Sequence, residues 1–244
     1  MHWDFALILL LLAAAVPWLG WRRIRQLMHA PETSKTDRIR LYVSTMASQW
    51  LAAALLLWRT YAHGISADQL GIAIPNAAQA AATSIVLAAL ILANQLFSLR
   101  QLTAHPAEVK GVLPQVALRI FPRDSSERAI FVVLVATVAI CEELIYRGFV
   151  QRVFEDWSGG IILAGILGSA VLFGLGHLYQ GKRGCITTCI VGVLFSGIRA
   201  WTGSLLPCVV AHFIADLTVG MLAPSRLREA MAGDLESSGT SVDS

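Results

Sequence analysis

Two adjacent carboxylates, Glu142 and Glu143, and an arginine one turn later, Arg147, follow an uncharged run of thirteen residues over 129–141. Two histidines, His177 and His212, stand in later apolar runs, and Asp216 follows the second by four positions. Carboxylates and imidazoles are the groups that move protons near neutral pH. A carboxylate and an imidazole on adjacent helices can activate a water between them for attack on a carbonyl. A further imidazole and its partner can stabilise the oxyanion that develops. No serine or cysteine is as clearly paired with a base, so a covalent route is less favoured. The same groups can instead ligate a divalent metal, with Glu142, His177 and His212 as donors. The chain has no His-Glu-x-x-His helix, the usual zinc-protease signature.

Helical spacing divides these residues into roles. Glu143 and Arg147 are four apart on one face, with the acid N-terminal, the better orientation for a pair. Glu142 is turned ~100° away, onto a face with Val135, Val138, Tyr146 and Phe149. Glu143 is therefore expected to pair with Arg147 and shape the site. Glu142, among apolar side chains, is the candidate general base. The plainer alternative is that the trio is only an intramembrane ion-pair clamp. His177 follows Phe173 by four residues, which puts an aromatic ring on its face; the plainer reading is an interfacial histidine. His212 and Asp216 share the same spacing, so the carboxylate can fix the imidazole tautomer.

The elements that must carry these groups are membrane helices. Hydrophobic residues make up 56% of the 244-residue chain and charged ones 14%, and the mean hydropathy is +0.63, too apolar for a typical soluble domain. An unpaired charge at the centre of a spanning helix costs roughly 2.5–3.5 kcal/mol, so charges there must find partners or water. Three separate apolar runs contribute polar groups here, and in a bundle they must face one another or a shared wet cavity. The expected fold is all-α, a polytopic transmembrane helical bundle of seven to eight spans. Candidate spans are 5–21, 41–58, 80–99, 129–150, 161–178, 185–201 and 205–223, with an eighth that could lie within 103–121. With seven spans, alternate loops carry fifteen Lys and Arg on one side and three on the other. That asymmetry puts the N-terminus outside and the C-terminus in the cytoplasm. Arg22, Arg23 and Arg25 follow the first run and no basic residue precedes it, the reverse of a cleaved signal.

The chain divides into N-terminal spans and a cytoplasmic linker (1–126), a membrane core holding the chemistry (127–223) and a disordered polar tail (224–244). Cys141, Cys185, Cys189 and Cys208 fall in or beside apolar runs and read as buried small hydrophobes. Gly165 and Gly168 with Ala164, and Gly192 with Ser196, form small-residue faces suited to close helix packing. The net charge of +3 gives no sign of a nucleic-acid partner. The lipid bilayer is the one partner composition requires.

The set Glu142-Glu143-x-x-x-Arg147, Phe173-x-x-x-His177 and His212-x-x-x-Asp216 resembles the CPBP family of intramembrane proteases, named for CAAX proteases and bacteriocin-processing (Abi-type) enzymes. Arg199-x-x-Thr202-Gly203-Ser204-Leu205 resembles the loop that leads into that family's last motif. The resemblance covers about 127–219. It implies a glutamate-type endopeptidase in a bacterial inner or cell membrane, acting on a peptide or membrane-protein substrate; in eukaryotic relatives the substrate is a prenylated tail. Carried over, Glu142 is the base and His177 its partner, Glu143, Arg147 and Phe173 shape the site, and His212 with residue 216 forms the oxyanion hole. No cofactor is implied, with a divalent metal as the alternative. The family often has Asn where this chain has Asp216. An ionised Asp cannot donate to an oxyanion, so the expected role of Asp216 is to orient His212. The alternatives to a peptidase are a non-catalytic membrane protein, for transport, binding or regulation, and a metal-dependent membrane hydrolase.

Overall fold

In lipid every backbone N–H and C=O must be satisfied within its own segment, which a helix does and an open strand does not. The computed structural model describes residues 2–29, 33–104 and 112–239, and all regular structure among them is helical. The helices are α1 (Trp3–His29), α2 (Lys35–Ala62), α3 (Ala77–Ala104), α4 (Val112–Ile120), α5 (Ser125–Trp157), α6 (Ile162–Gly176), α7 (Gly181–Thr202) and α8 (Leu206–Gly239). Six of them, α1, α2, α3, α5, α7 and α8, are long and apolar enough to cross a membrane. The fold is a polytopic helical membrane bundle.

The span expected at 161–178 is realised as α6, only 15 residues long. At 1.5 Å per residue that is about 22 Å, short of the ~30 Å hydrocarbon core. The residue at the C-cap of α6 is His177. The eighth span considered within 103–121 is not found among the described residues there. Instead α4 has 9 residues and is tied to its neighbours at its end. The Tyr42 hydroxyl donates to the Ile120 carbonyl at 2.5 Å, and the Arg119 guanidinium donates to the Leu27 carbonyl. Residues 105–111 of the expected linker lie outside the described residues. Helix α8 continues to Gly239, through the first part of the segment expected to be a disordered tail, and 240–244 lie outside the described residues.

Helix α5 is the centre of the bundle. Half of its spanning window is buried inside the protein, against 17–33% for the other spans. Helix α2 lies along it, α6 folds back against its C-terminal end, and α8 packs on its first half. The small-residue faces work as expected. A Cβ on Gly165 would lie 2.8 Å from the Gln151 carbonyl oxygen, and one on Gly192 would lie 2.9 Å from Ala170 Cα. Neither contact survives a larger side chain without a backbone shift.

One local departure from α geometry matters. Helix α5 is α-helical over Ser125–Glu143, a π-helix over Leu144–Val150, and α-helical again over Gln151–Trp157. Such segments are rare and concentrate at functional sites. All seven of its residues are buried. Phe5 and Leu9 of α1, Leu56 of α2 and Phe173 of α6 belong to the same apolar cluster as its Ile145, Tyr146, Phe149 and Val150. The Ser169 hydroxyl of α6 also donates to the Tyr146 carbonyl at 2.8 Å.

Candidate active site

The site is built on the point where α5 changes geometry. Its helix is started by Asp124, whose side chain accepts from the Glu127 N–H at 2.9 Å as an N-cap. Lys35 at 2.8 Å, with the Glu127 N–H and the Ser126 hydroxyl, holds the Asp124 carboxyl well below the usual carboxylate range. One turn into the helix, Glu127 accepts from Arg38 of α2 at 2.7 and 3.2 Å, and both side chains are buried. These contacts fix α2 against the start of α5. Farther along the same pair of helices, the Gln49 side-chain amide of α2 donates to Glu142 Oε1 at 3.1 Å.

The two neighbouring glutamates differ as helical geometry requires. Glu143 is fully buried, and its Oε1 accepts from Arg147 Nη1 at 3.0 Å and from His212 Nδ1 at 2.8 Å. The guanidinium of Arg147, also fully buried, lies 3.9 Å from the Phe173 ring centre and 5.4 Å from that of Phe195, a cation–π clamp. Among the described residues Glu142 has no charged partner within hydrogen-bond distance, only the Gln49 amide on Oε1. Its Oε2, like Glu143 Oε2, is buried without a hydrogen-bond partner, and it lies 4.0 Å from His212 Nε2. A buried carboxylate oxygen left unpaired costs stability, and such groups in native structures call for a functional explanation.

The histidines enter from α6 and α8. A backbone carbonyl can only accept, so the 2.8 Å contact of His177 Nδ1 with the Phe173 carbonyl makes Nδ1 a protonated nitrogen. The His177 ring packs edge-on to Phe173 with centroids 4.7 Å apart, and His212 approaches the same phenyl ring at 6.2 Å. Phe173 is thus the shared wall for Arg147, His177 and His212. On His212, Nδ1 points at Glu143, while Nε2 faces Asp216 Oδ2 at 3.5 Å and Glu142.

Glu142, Glu143, Arg147, Phe173, His212 and Asp216 therefore come together, and His177 joins them through Phe173. The sequence spacing assigned the orientation of His212 to Asp216. In the fold the tighter hold on the ring comes from Glu143, 69 positions earlier in the chain, and Asp216 flanks the other nitrogen. Gln49 was missed; its only signal in the sequence is one amide within the apolar run 41–58. The donors named for a metal alternative, Glu142, His177 and His212, do not converge to ligating distance. Among the described residues, the converging group of His, Cys, Asp or Glu is a different one, at His2, Asp4 and His63.

A family model, type II CAAX prenyl endopeptidase Rce1-like, matches residues 124–218. The matched stretch starts at the N-cap of α5 and ends just beyond Asp216, so it holds every site residue named above except Gln49. Over that stretch, which is less than half of the 244-residue chain, the chain is similar to the CAAX protease family. No curated protein and no solved structure gives a significant match. The protein is thus a polytopic helical membrane protein with a segment similar to CAAX proteases.

Proposed function

We propose that the chain is an intramembrane endopeptidase that hydrolyses a peptide bond of a peptide or membrane-associated protein, in a bacterial inner or cell membrane. A water held between Glu142 and His177 gives its proton to Glu142, and its oxygen attacks the scissile carbonyl carbon. The carbonyl oxygen takes the negative charge and is met by His212, acting from Nε2. Glu142 then returns the proton to the amine nitrogen as the C–N bond breaks. Glu143 and Arg147 keep the His212 ring in place, and Asp216 flanks it. The matching family is described by prenyl substrates, so a lipidated peptide tail falls within the proposed class.

The observation that carries this reading is the division of labour between neighbouring carboxylates. Glu143 Oε1 is held by the Arg147 guanidinium and the His212 ring, while Glu142 is held only by the Gln49 amide and its buried Oε2 faces the His212 imidazole at 4.0 Å. The test is cleavage of a quenched fluorescent peptide library by the purified protein in liposomes. Glu142→Gln and His177→Ala are each expected to lower the rate by about 10²–10⁴-fold, the usual worth of general acid–base catalysis. Chelator should have no effect, and Asp216→Asn should retain most activity. Cleavage that survives Glu142→Gln excludes the mechanism.

A further inference from the structure

A second cluster, sharing no residue with the acid-and-histidine site, lies where the first residues of α1 meet the end of α2. His2 is the N-cap of α1, Asp4 stands in its first turn, and His63 is the C-cap of α2. Ligand-capable atoms of all three lie within 4.8 Å of one another. The His2 and His63 rings stack with centroids 3.7 Å apart and planes inclined by 29°. His63 Nε2 is 2.8 Å from Asp4 Oδ2. A cavity of about 240 Å³ opens beside them, lined by His2, Phe5 and His63 and by Val153, Asp156 and Trp157 from the end of α5.

An ordinary helix-end ion pair accounts for part of this. Arg59 donates to Asp4 Oδ2 from Nε at 2.9 Å and from Nη2 at 2.6 Å, and His63 adds to that network. It does not account for His2, an exposed imidazole set face to face on a second one. Two imidazoles and a carboxylate are a donor set suited to a borderline transition dication. The charge asymmetry of the loops assigns this end of the bundle to the non-cytoplasmic side.

We propose that His2, Asp4 and His63 bind one divalent transition metal of the zinc class, with the fourth coordination position open to the adjoining cavity. The Arg59 guanidinium competes with the metal for Asp4 and, with Nη2 at 3.1 Å from His63 Nε2, for His63 as well. Its side chain is 29% exposed and lies near the Trp58 ring, so it can retreat toward solvent at modest cost. The consequence of binding is mechanical. Coordination joins the first turn of α1 to the end of α2, and Phe5 in that turn packs edge-on against Phe149 of the π segment at 5.1 Å. Metal occupancy thus fastens α1 to the segment that follows the Glu142–Glu143 pair.

The test is calorimetric titration of the untagged full chain in detergent with zinc chloride, with metal content measured after dialysis and unfolding followed with and without zinc. One zinc per chain is expected, with affinity at least tenfold weaker in His2→Ala and in His63→Gln. Arg59→Gln should tighten binding at least threefold, because the competing cation is gone; a damaged fold cannot mimic that gain. Zinc should raise the melting temperature of the wild type and not of His2→Ala. His2 is exposed, so that variant keeps the fold. Absence of a stoichiometric site in the wild type, or unchanged affinity in His2→Ala, overturns the assignment. Neither readout involves peptide cleavage.

Discussion

Replacing Arg147 by Met tests how the site is held together. Arg147 and Glu143 are both fully buried and 3.0 Å apart. Methionine keeps much of the stem volume but removes the charge, the bond to Glu143 and the stacking on Phe173. Breaking one side of a buried pair leaves an uncompensated charge and costs roughly 3–5 kcal/mol. The lost cation–π contacts add about 0.5–2 kcal/mol. His212 Nδ1 still faces Glu143 at 2.8 Å, so part of the charge remains satisfied and the expected loss lies near the lower end, about 3 kcal/mol. Glu143→Gln alone removes the opposite charge and leaves Arg147 buried against two aromatic rings. If the two residues act as a unit, the double variant should be about 0.5–3 kcal/mol more stable than the sum of the single losses. The assay is reversible SDS unfolding in mixed micelles, followed by intrinsic fluorescence. A loss within about 0.5 kcal/mol for Arg147→Met, the range of an ordinary surface substitution, or strict additivity in the double variant, would refute the buried clamp.

Two further outcomes follow from the same geometry. Gln49→Leu removes the amide that donates to Glu142 Oε1 at 3.1 Å. A hydrogen bond to a charged group is worth about 1.5–3 kcal/mol, so peptide cleavage should fall roughly tenfold or more while Gln49→Glu, with a like charge, should fall further; equal rates in wild type and Gln49→Leu would remove Gln49 from the site. Asp124 gives the pH dependence. Its folded carboxyl is held low, chiefly by Lys35, so the stabilisation it supplies is present above its unfolded pKa of about 3.9. It is lost as pH falls through the still lower folded value. The stability difference between wild type and Asp124→Asn, read by unfolding at a series of pH values, should therefore be constant at neutral pH and shrink only below about pH 4; a difference that vanishes already near pH 6 contradicts the N-cap and Lys35 assignments.

The sequence by itself determined the membrane class, the helical fold and the local pairs. An apolar composition leaves lipid as the solvent, and lipid leaves helices as the structure. Charges inside apolar runs are then legible as a site, and four-residue spacing is enough to join Glu143 with Arg147. It also turns Glu142 away from that pair. These properties depend on the helix repeat alone. Only the tertiary structure decided which face of each helix meets which neighbour. Rotation and depth are set by packing, through close approaches such as Gly192 on Ala170 and by the π segment that shifts the register after Glu143. That is why Glu143, and not Asp216, holds His212 most tightly, and why Phe173 walls both histidines. It is also why Gln49, outside the matched family region, reaches Glu142. The short span was hidden for a related reason: hydropathy shows where an apolar run lies, but the turn at Leu178–Gln180 that ends α6 at His177 belongs to the packed bundle. His2 and His63 lie 61 positions apart in the chain, with no shared periodicity to connect them. Their meeting is a product of α1 crossing the end of α2, and no local pattern encodes a crossing.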